Sequence, residues 1–250
     1  MDGNIMKNKK LLAVLLLAPI VSFSAIDDLK EERMKILSDL GLPLPDSGIK
    51  LVPRAVFGLT EDEIKKGILE EQQMKTKGYI EEYSPRPMEL IHFKEHAKLQ
   101  FKQYANVSNE ASTHLRSSIK DLKLGFKFKG VPKGIVTNFI GIVPQGGFQQ
   151  EGWSGAVQFF ESKKIGTCAY AEMNVAISHT ATEIALEDAT YIINGKLSLV
   201  EVRGNKSSGF DYKVRWFDDI AFHELECANM KYSTDTTNAV IALANTIDSN

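Results

Sequence analysis

The sequence predicts an α+β protein built on a mainly antiparallel, sandwich-like β domain, with N-terminal helices and a C-terminal helix. Composition changes along the chain, because residues 26–84 are rich in Glu, Lys and Leu, whereas residues 87–230 are rich in Gly, Val, Ile, Phe and Thr. Asn194-Gly195 lies between two β-rich runs and is a strong hairpin signal. Residues 236–247 have apolar side chains at helical spacing, which predicts the C-terminal helix.

The first segment has the three parts of a secretory signal peptide. Lysines at 7–10 form a basic region, residues 11–21 are an apolar run of 11 residues, and small residues follow at 22–25. The run is shorter than the roughly 20 residues that a membrane-spanning helix needs. We therefore expect cleavage after residue 24. Either Met1 or Met6 can be the start.

This segment sets the expected domain plan. Residues 1–24 are the signal peptide, residues 25–84 form a helical and extended N-terminal region, and residues 85–250 form the β-rich domain with its C-terminal helix. Removal of the first 24 residues leaves 27 basic and 31 acidic residues, a net charge of −4 against −2 for the whole chain. Such a small charge does not favour binding to nucleic acid.

The chain has no second apolar run of about 18 residues, so no membrane span is expected after cleavage. The expected location is therefore periplasmic or secreted. Cys168 and Cys227 are the two cysteines of the chain. An even number of cysteines in an oxidising compartment predicts a disulfide, whereas a catalytic thiol would need a free cysteine.

Two helices are predicted before the β domain. Residues 27–40 form the first. Thr60-Glu-Asp-Glu63 is a capping box that begins the second, which is expected to run to about residue 75 and to end at Gly78. A Pro-Arg-Pro sequence at 85–87 then separates this region from the rest. Residues 88–104 fit both a helical stripe and a strand alternation, so their structure is left open.

Later segments give strand predictions. Alternation or β-rich composition bounded by Gly and Pro predicts strands at 122–128, 134–144, 153–160, 190–193, 197–202 and 210–217.

One motif indicates possible metal chemistry. His92, Glu95 and His96 match the H-x-x-E-H pattern of inverted zinc peptidases, in which two histidines on one helix face bind zinc and the glutamate acts as a base. Glu172 lies at a separation that suits a third ligand. However, the helical apolar stripe centres on Phe93 and Ala97 and places both histidines on the polar side. We therefore expect no metal and no other cofactor, and keep a secreted zinc hydrolase as an alternative function.

The most ligand-like stretch is residues 145–153. Phe148, Gln149, Gln150 and Trp153 can offer stacking and amide groups to a sugar or a peptide. An ordinary surface loop explains the same residues. A periplasmic or extracellular ligand-binding module is thus a second alternative.

A family resemblance rests on residues 58–91. Gly58-Leu-Thr-Glu-Asp-Glu-Ile64, the acidic and amide residues at 70–73, and Ser84-Pro-Arg-Pro-Met-Glu-Leu-Ile91 resemble periplasmic core-complex components of conjugation-like, Dot/Icm-type type IV secretion systems. The resemblance implies a structural subunit of an outer-membrane-associated complex. The chain has no lipid-anchor cysteine near the cleavage site, so attachment would be through other envelope proteins. We expect a non-enzymatic exported protein that acts through protein–protein contacts.

Overall fold

The computed structural model describes residues 48–107 and 109–250. The predicted signal peptide and the predicted helix at 27–40 lie outside the described residues. Within the described ranges there are five α-helices: α1 Glu61–Lys77, α2 Arg86–Ile91, α3 Phe93–Gln103, α4 Val175–Ser178 and α5 Thr234–Asp248. Three short 3-10 helices lie at Arg54–Phe57, Ile119–Asp121 and Leu186–Asp188.

The same ranges contain ten strands: β1 Gly48–Val52, β2 Ile80–Glu81, β3 Asn138–Gln149, β4 Gly152–Ser162, β5 Gly166–Asn174, β6 Ala181–Ala185, β7 Tyr191–Ile193, β8 Lys196–Asn205, β9 Gly209–Phe217 and β10 Ala221–Asn229. Eight of these described strands form the main sheet, in the order β2-β8-β9-β10-β5-β4-β3, with β7 also paired to β8. The pairs are antiparallel except that β2 runs parallel to β8. The predicted α+β class with a mainly antiparallel sheet is confirmed.

One face of the main sheet is apolar and is covered by the C-terminal helix. Alternate residues of β4, β5, β8, β9 and β10 point to this face, because side chains in a strand alternate between the two sides. Among them are the fully buried Phe160, Tyr212 and Leu225, which belong to one cluster with Val240 and Ile247 of α5. Burial of such side chains stabilises by about 1.5–3 kcal/mol each. This layer is the main hydrophobic core.

The predicted disulfide is confirmed and lies in this core. Cys168 of β5 and Cys227 of β10 are directly opposite each other in neighbouring strands, with their α-carbons 4.1 Å apart. Both residues are buried. The bond therefore joins two strands at the centre of the sheet, where the main-chain ladder already holds them side by side.

The second face of the main sheet is divided. Over β3, β4 and β5 it is apolar, and α2 and α3 cover it through Leu90 and Ala97, with Phe93 stacked on Phe159 at 3.8 Å between ring centroids. Over β8, β9 and β10 the same face carries charged side chains. The sequence pattern did not decide between helix and strand for residues 88–104. The structure shows that they are helical, with His92 at the junction of α2 and α3.

A second, smaller sheet packs near the charged half. Strand β1 pairs in parallel with β6, and the backbone of Arg54 donates to Glu187 at 2.8 Å in the segment that follows β6. Together with the pairing of β2 to β8, these contacts place residues 48–84 in the same compact unit as the β domain, which continues to residue 250.

Local sequence signals describe several element ends correctly. Thr60 and Glu63 form both bonds of the capping box, and α1 ends at Gly78 in the left-handed conformation. Asn194 and Gly195 both have positive φ, as a two-residue type I′ turn between β7 and β8 requires.

One strand prediction and one loop prediction need correction. Residues 122–128 do not form a strand, and Leu124 makes only an isolated bridge to Trp153. Leu124 contacts the edge of β4 that β5 occupies from Gly155 onward. Only the first residues of β4 are therefore free to pair with residues 122–128. The expected loop at 145–153 is mostly strand, because β3 extends to Gln149 and β4 begins at Gly152, with a bulge between Gln145 and Phe148.

Of the described helices, none has the length and apolarity to cross a bilayer.

Reduction of the disulfide should destabilise the protein measurably. In the chain-entropy model a cross-link over 59 residues stabilises by up to about 4 kcal/mol, with 2–4 kcal/mol typical. We expect the urea midpoint to fall when dithiothreitol is added. Because the chain has two cysteines, a double Cys168→Ala, Cys227→Ala variant is the control that should not respond to dithiothreitol. Equal midpoints for oxidised and reduced wild-type protein would contradict this expectation.

Candidate functional site

The charged half of the main sheet carries ion pairs between neighbouring strands. Lys213 of β9 lies between Glu201 of β8 and Glu226 of β10 in the strand register. Two residues further along β9, Arg215 donates to Glu224 at 2.6 Å. Opposite charges on neighbouring strands stabilise a sheet by a few tenths to about 1 kcal/mol per pair. Helix α1 lies over this charged surface instead of over an apolar one.

Arg203 of β8 connects α1 to the sheet. Its guanidinium is 2.7 Å from Glu70 of α1, 2.7 Å from Glu201 of its own strand and 3.1 Å from Glu82, next to β2. Burial works to lower the pKa of Arg203, but its hydrogen bonds to Glu201 and Glu70 outweigh it, and the net pKa is raised. We call this group of four charged residues the Arg203 tether.

The tether leaves a cleft between α1 and the sheet. The cleft has a volume of about 590 Å³. One wall is α1, with Ile64, Gly67 and Met74, and the other contains Leu199 of β8 and Tyr191 of β7. A second cavity of about 460 Å³ shares Arg54, Leu59, Asp188, Leu199 and Arg215 with the first and continues towards β6. The two form one groove along the charged half of the sheet.

Gly67 keeps the cleft open on the helix side. A β-carbon built on Gly67 meets no heavy atom within 4 Å. No close packing partner at this position requires a glycine. Glycine inside a helix nevertheless costs roughly 0.5–1 kcal/mol relative to alanine. A larger side chain at 67 would therefore enter the cleft instead of colliding with the sheet.

A pair of buried carboxyl groups lies on this sheet face, beside Lys213. Burial and the neighbouring Glu226 raise the pKa of Asp211 to about 8. Burial also works to raise the pKa of Glu226, but hydrogen bonds from Arg86 and the charge of Lys213 outweigh it and lower that pKa. Arg86 binds both oxygens of Glu226, with Nε 2.9 Å from Oε1. Asp211 is thus harder to ionise than an ordinary aspartate, whereas the basic partners of Glu226 favour its ionised form.

The apolar face contains a separate polar cluster. The Tyr170 hydroxyl is 3.0 Å from Glu172 Oε2 and 2.9 Å from His223 Nδ1. The His223 Nε2 atom is buried without a hydrogen-bond partner among the described residues, and the nearest Asp218 oxygen is 4.0 Å away. Burial, helped by the charge of Lys129, lowers the pKa of His223 to about 4. His223 is therefore neutral at physiological pH.

This polar cluster is enclosed. His223 and Tyr170 are fully buried, and neither of the two cavities described above is lined by them. Asp248 of α5 accepts from the Trp216 indole at 3.1 Å and from Lys129, which fixes the end of the helix next to the cluster. These groups therefore orient the core and the C-terminal helix, and they are not arranged around an open substrate site.

The H-x-x-E-H residues do not converge with Glu172. His92, Glu95 and His96 are exposed on α2–α3, over the apolar half of the second face. Glu172 points to the opposite face of the sheet, where it contacts Tyr170. The sheet therefore separates it from the two histidines. In the described ranges no group of three or more His, Cys, Asp or Glu side chains is placed to hold a metal ion.

The residues of the predicted ligand loop form a hairpin. Trp153 is 6% exposed, donates its indole N–H to Glu110 O at 2.9 Å, and packs edge-on against Phe148. The stacking surface that the sequence assigned to Trp153 is therefore covered. Gln149 and Gln150 remain exposed at the end of the hairpin.

The chain matches no family model, no curated protein and no solved structure.

Loss of the Arg203 tether should loosen α1 specifically. Exposed or half-exposed ion pairs contribute about 0.2–1 kcal/mol each, and Arg203 makes two of them to α1 and to the segment after β2. We expect Arg203→Met to increase amide hydrogen exchange in residues 61–77 by about fivefold, which corresponds to about 1 kcal/mol.

Arg215→Met is the matched control for that experiment. Arg215 lies on the same sheet face but pairs with Glu224 inside the sheet, so its loss should leave exchange in residues 61–77 unchanged. If both variants change exchange in α1 equally, the tether does not hold the helix.

Stability should fall at mildly acidic pH because of His223. A histidine with a pKa of about 4 in the folded chain and an ordinary value of 6.5 binds its proton less well when folded. The unfolded state therefore takes up more protons between pH 6.5 and 4, and stability is lost as the pH falls through that window. The full effect is about 3 kcal/mol.

Urea unfolding between pH 7.5 and 4.5, on wild type and His223→Gln, measures this contribution. Glu172 and Asp211, whose raised pKa values act with the opposite sign, are present in both proteins, so the difference between the two pH profiles reports His223. Parallel profiles would contradict the assignment.

Proposed function

We propose that this chain is an exported, non-enzymatic protein of the cell envelope that acts through protein–protein contacts. The N-terminal signal sequence and the Cys168–Cys227 disulfide support export, because disulfides persist in oxidising compartments. The enclosed polar cluster and the exposed, dispersed H-x-x-E-H residues favour a binding role over a hydrolytic one. The best candidate for the contact surface is helix α1.

The exposure of α1 carries this proposal. None of its 17 residues is buried, although its sequence includes Ile64, Ile68 and Leu69. Ile68 is 47% exposed and Leu69 is 58% exposed. By contrast, α5 buries Val240, Leu243, Ala244 and Ile247 among its 15 residues. A helix that keeps its apolar side chains in solvent while a polar tether holds it in place is suited to docking a partner.

The same helix lies inside the segment that resembles secretion-complex components. The residues that carry the resemblance, 58–91, include all of α1, and the capping box at its start is fully formed. The finer proposal is therefore a structural subunit of an outer-membrane-associated secretion complex, with α1 as a surface for other envelope proteins. Attachment to the membrane would then depend on those partners.

A substitution on α1 should remove partner capture. Burial of a leucine side chain at an interface is worth about 1.5–3 kcal/mol, and 1.4 kcal/mol corresponds to a tenfold change in affinity. We expect Leu69→Glu to reduce capture of envelope proteins from detergent-solubilised native membranes by more than tenfold relative to wild type. Glutamate is a good helix former, so α1 itself should persist.

Leu99→Glu is the matched control. Leu99 is an apolar residue on α3 with 66% exposure, so the substitution introduces the same charge at an equally exposed helical position away from α1. It should leave capture unchanged. Equal capture by wild type, Leu69→Glu and Leu99→Glu would reject α1 as the contact surface.

A further inference from the structure

A polar pocket lies at the C-terminal end of helix α3. Its volume is about 300 Å³, which is at the lower end of the range for small-molecule sites. The end of α3 and the residue after it supply one wall, and the loop at residues 112–114 supplies the other. The lining residues are Gln100, Gln103, Tyr104, Ser112, Thr113 and His114. None of them is a lysine, an arginine or a carboxylate, and none lines the cleft under α1.

The loop wall is held in place by the Arg116 side chain, which is 6% exposed. Its guanidinium donates to four backbone carbonyls of the surrounding loop, those of Asn109, Ser112, His114 and Asp121. The backbone of Arg116 also exchanges two hydrogen bonds with Ile142 of β3, at 2.8 and 2.9 Å. The adjacent Leu115 is buried in the cluster under α2 and α3. The pocket wall is therefore anchored to the sheet, and a ligand would meet a preformed surface.

Tyr104 and His114 connect the two walls. Their rings stack with centroids 5.2 Å apart and planes 22° apart, and His114 Nδ1 lies 2.7 Å from Ser112 Oγ. Burial, helped by the positive charge of Arg116, lowers the pKa of His114, so the imidazole is neutral at pH 7. A neutral imidazole has one donor and one acceptor nitrogen. Because the Ser112 hydroxyl can take either role towards Nδ1, Nε2 can donate to a ligand or accept from it.

Four of the lining side chains have polar groups available for a ligand. Within the described ranges, no hydrogen bond to the amides of Gln100 and Gln103 or to the hydroxyls of Tyr104 and Thr113 is found. Amide and hydroxyl groups both donate and accept. A ligand with several hydroxyl groups can therefore bond to them in both directions. An ionic ligand would lose water here without an opposite charge on the lining to replace it.

We propose that this pocket binds a neutral saccharide by one sugar ring. The ring hydroxyls exchange hydrogen bonds with Gln100, Gln103 and Thr113, and the C–H face of the ring packs against the stacked Tyr104–His114 pair. A few placed polar groups beside an aromatic surface are what a small-molecule site uses for orientation and contact area. This site goes beyond the proposed contact role and does not depend on it, because α1 contributes no residue to the pocket.

The first test titrates the full chain with the methyl glycosides of glucose, galactose, mannose and N-acetylglucosamine, followed by saturation-transfer NMR. We expect at least one of the four to bind saturably, with a Kd of about 1 mM or lower. The same glycoside with every hydroxyl O-methylated should bind at least tenfold more weakly, because its donors are lost. Absence of saturation by all four sugars up to about 10 mM, or equal binding of the methylated glycoside, would overturn the proposal.

Charged analogues of the hexose that binds test the ligand class. Its uronic acid and its amino sugar keep the ring but carry a negative or a positive charge. Neither should bind more tightly than the neutral sugar, because the lining offers no carboxylate, lysine or arginine. Tighter binding of either analogue would reject a neutral saccharide as the ligand.

Two double variants locate the site. Gln100→Ala with Gln103→Ala removes both amides of the α3 wall and should weaken sugar binding at least tenfold, which is the loss of two net hydrogen bonds. Gln149→Ala with Gln150→Ala is the matched control, because it removes two exposed amides at the end of the β3–β4 hairpin and should leave binding unchanged. Equal affinity of wild type and the α3 variant, or an equal loss in both variants, would place the sugar elsewhere and reject the pocket.

Thr113→Val is a milder variant that keeps the shape of the side chain and removes its hydroxyl. It should weaken sugar binding about threefold, as expected for one net hydrogen bond. Thermal melts of all three variants should match the wild type, since alanine is the best helix former and the changed residues lie at the surface or at the pocket. If the α3 variant melts early, Thr113→Val decides the outcome, and unchanged affinity in it would reject the pocket.

Discussion

The Arg203 guanidinium determines how helix α1 is held on the main sheet. It joins α1, the segment after β2 and β8 through three carboxylates. Because α1 buries no residue, hydrophobic packing does not hold the helix on the sheet, and ion pairs of modest strength take its place. A polar attachment of this kind fixes one point of the helix and leaves space beside it. The cleft and the exposed apolar residues of α1 are consequences of that arrangement.

The two faces of the main sheet differ in how much they contribute to the hydrophobic core. The apolar face, with α5 and the disulfide, buries the largest side chains of the protein, including Trp216, Tyr170 and Phe160. The charged half of the other face contributes little to a hydrophobic core, because its alternate residues are Lys, Arg, Glu and Asp. Substitutions around the cleft should therefore have small effects on stability, whereas substitutions under α5 should have large ones.

The sequence is informative where structure is decided by neighbours along the chain. The capping box at Thr60, the type I′ turn at Asn194-Gly195 and the C-terminal amphipathic helix depend on residues within one or two turns, and all were predictable. The disulfide was predictable for another reason, since two cysteines in a chain that is expected to be exported have one possible partner each. Residues 122–128 have the alternation of a strand, but the sheet position that they would need is occupied by β5, which begins 38 residues after residue 128.

The candidate site could not be predicted from the sequence, because it also depends on residues that are far apart in the chain. The Arg203 tether joins residues separated by up to 133 positions. Alternation within β8 does predict that Leu199, Glu201 and Arg203 share a face, but not that a helix with no buried residue lies above them.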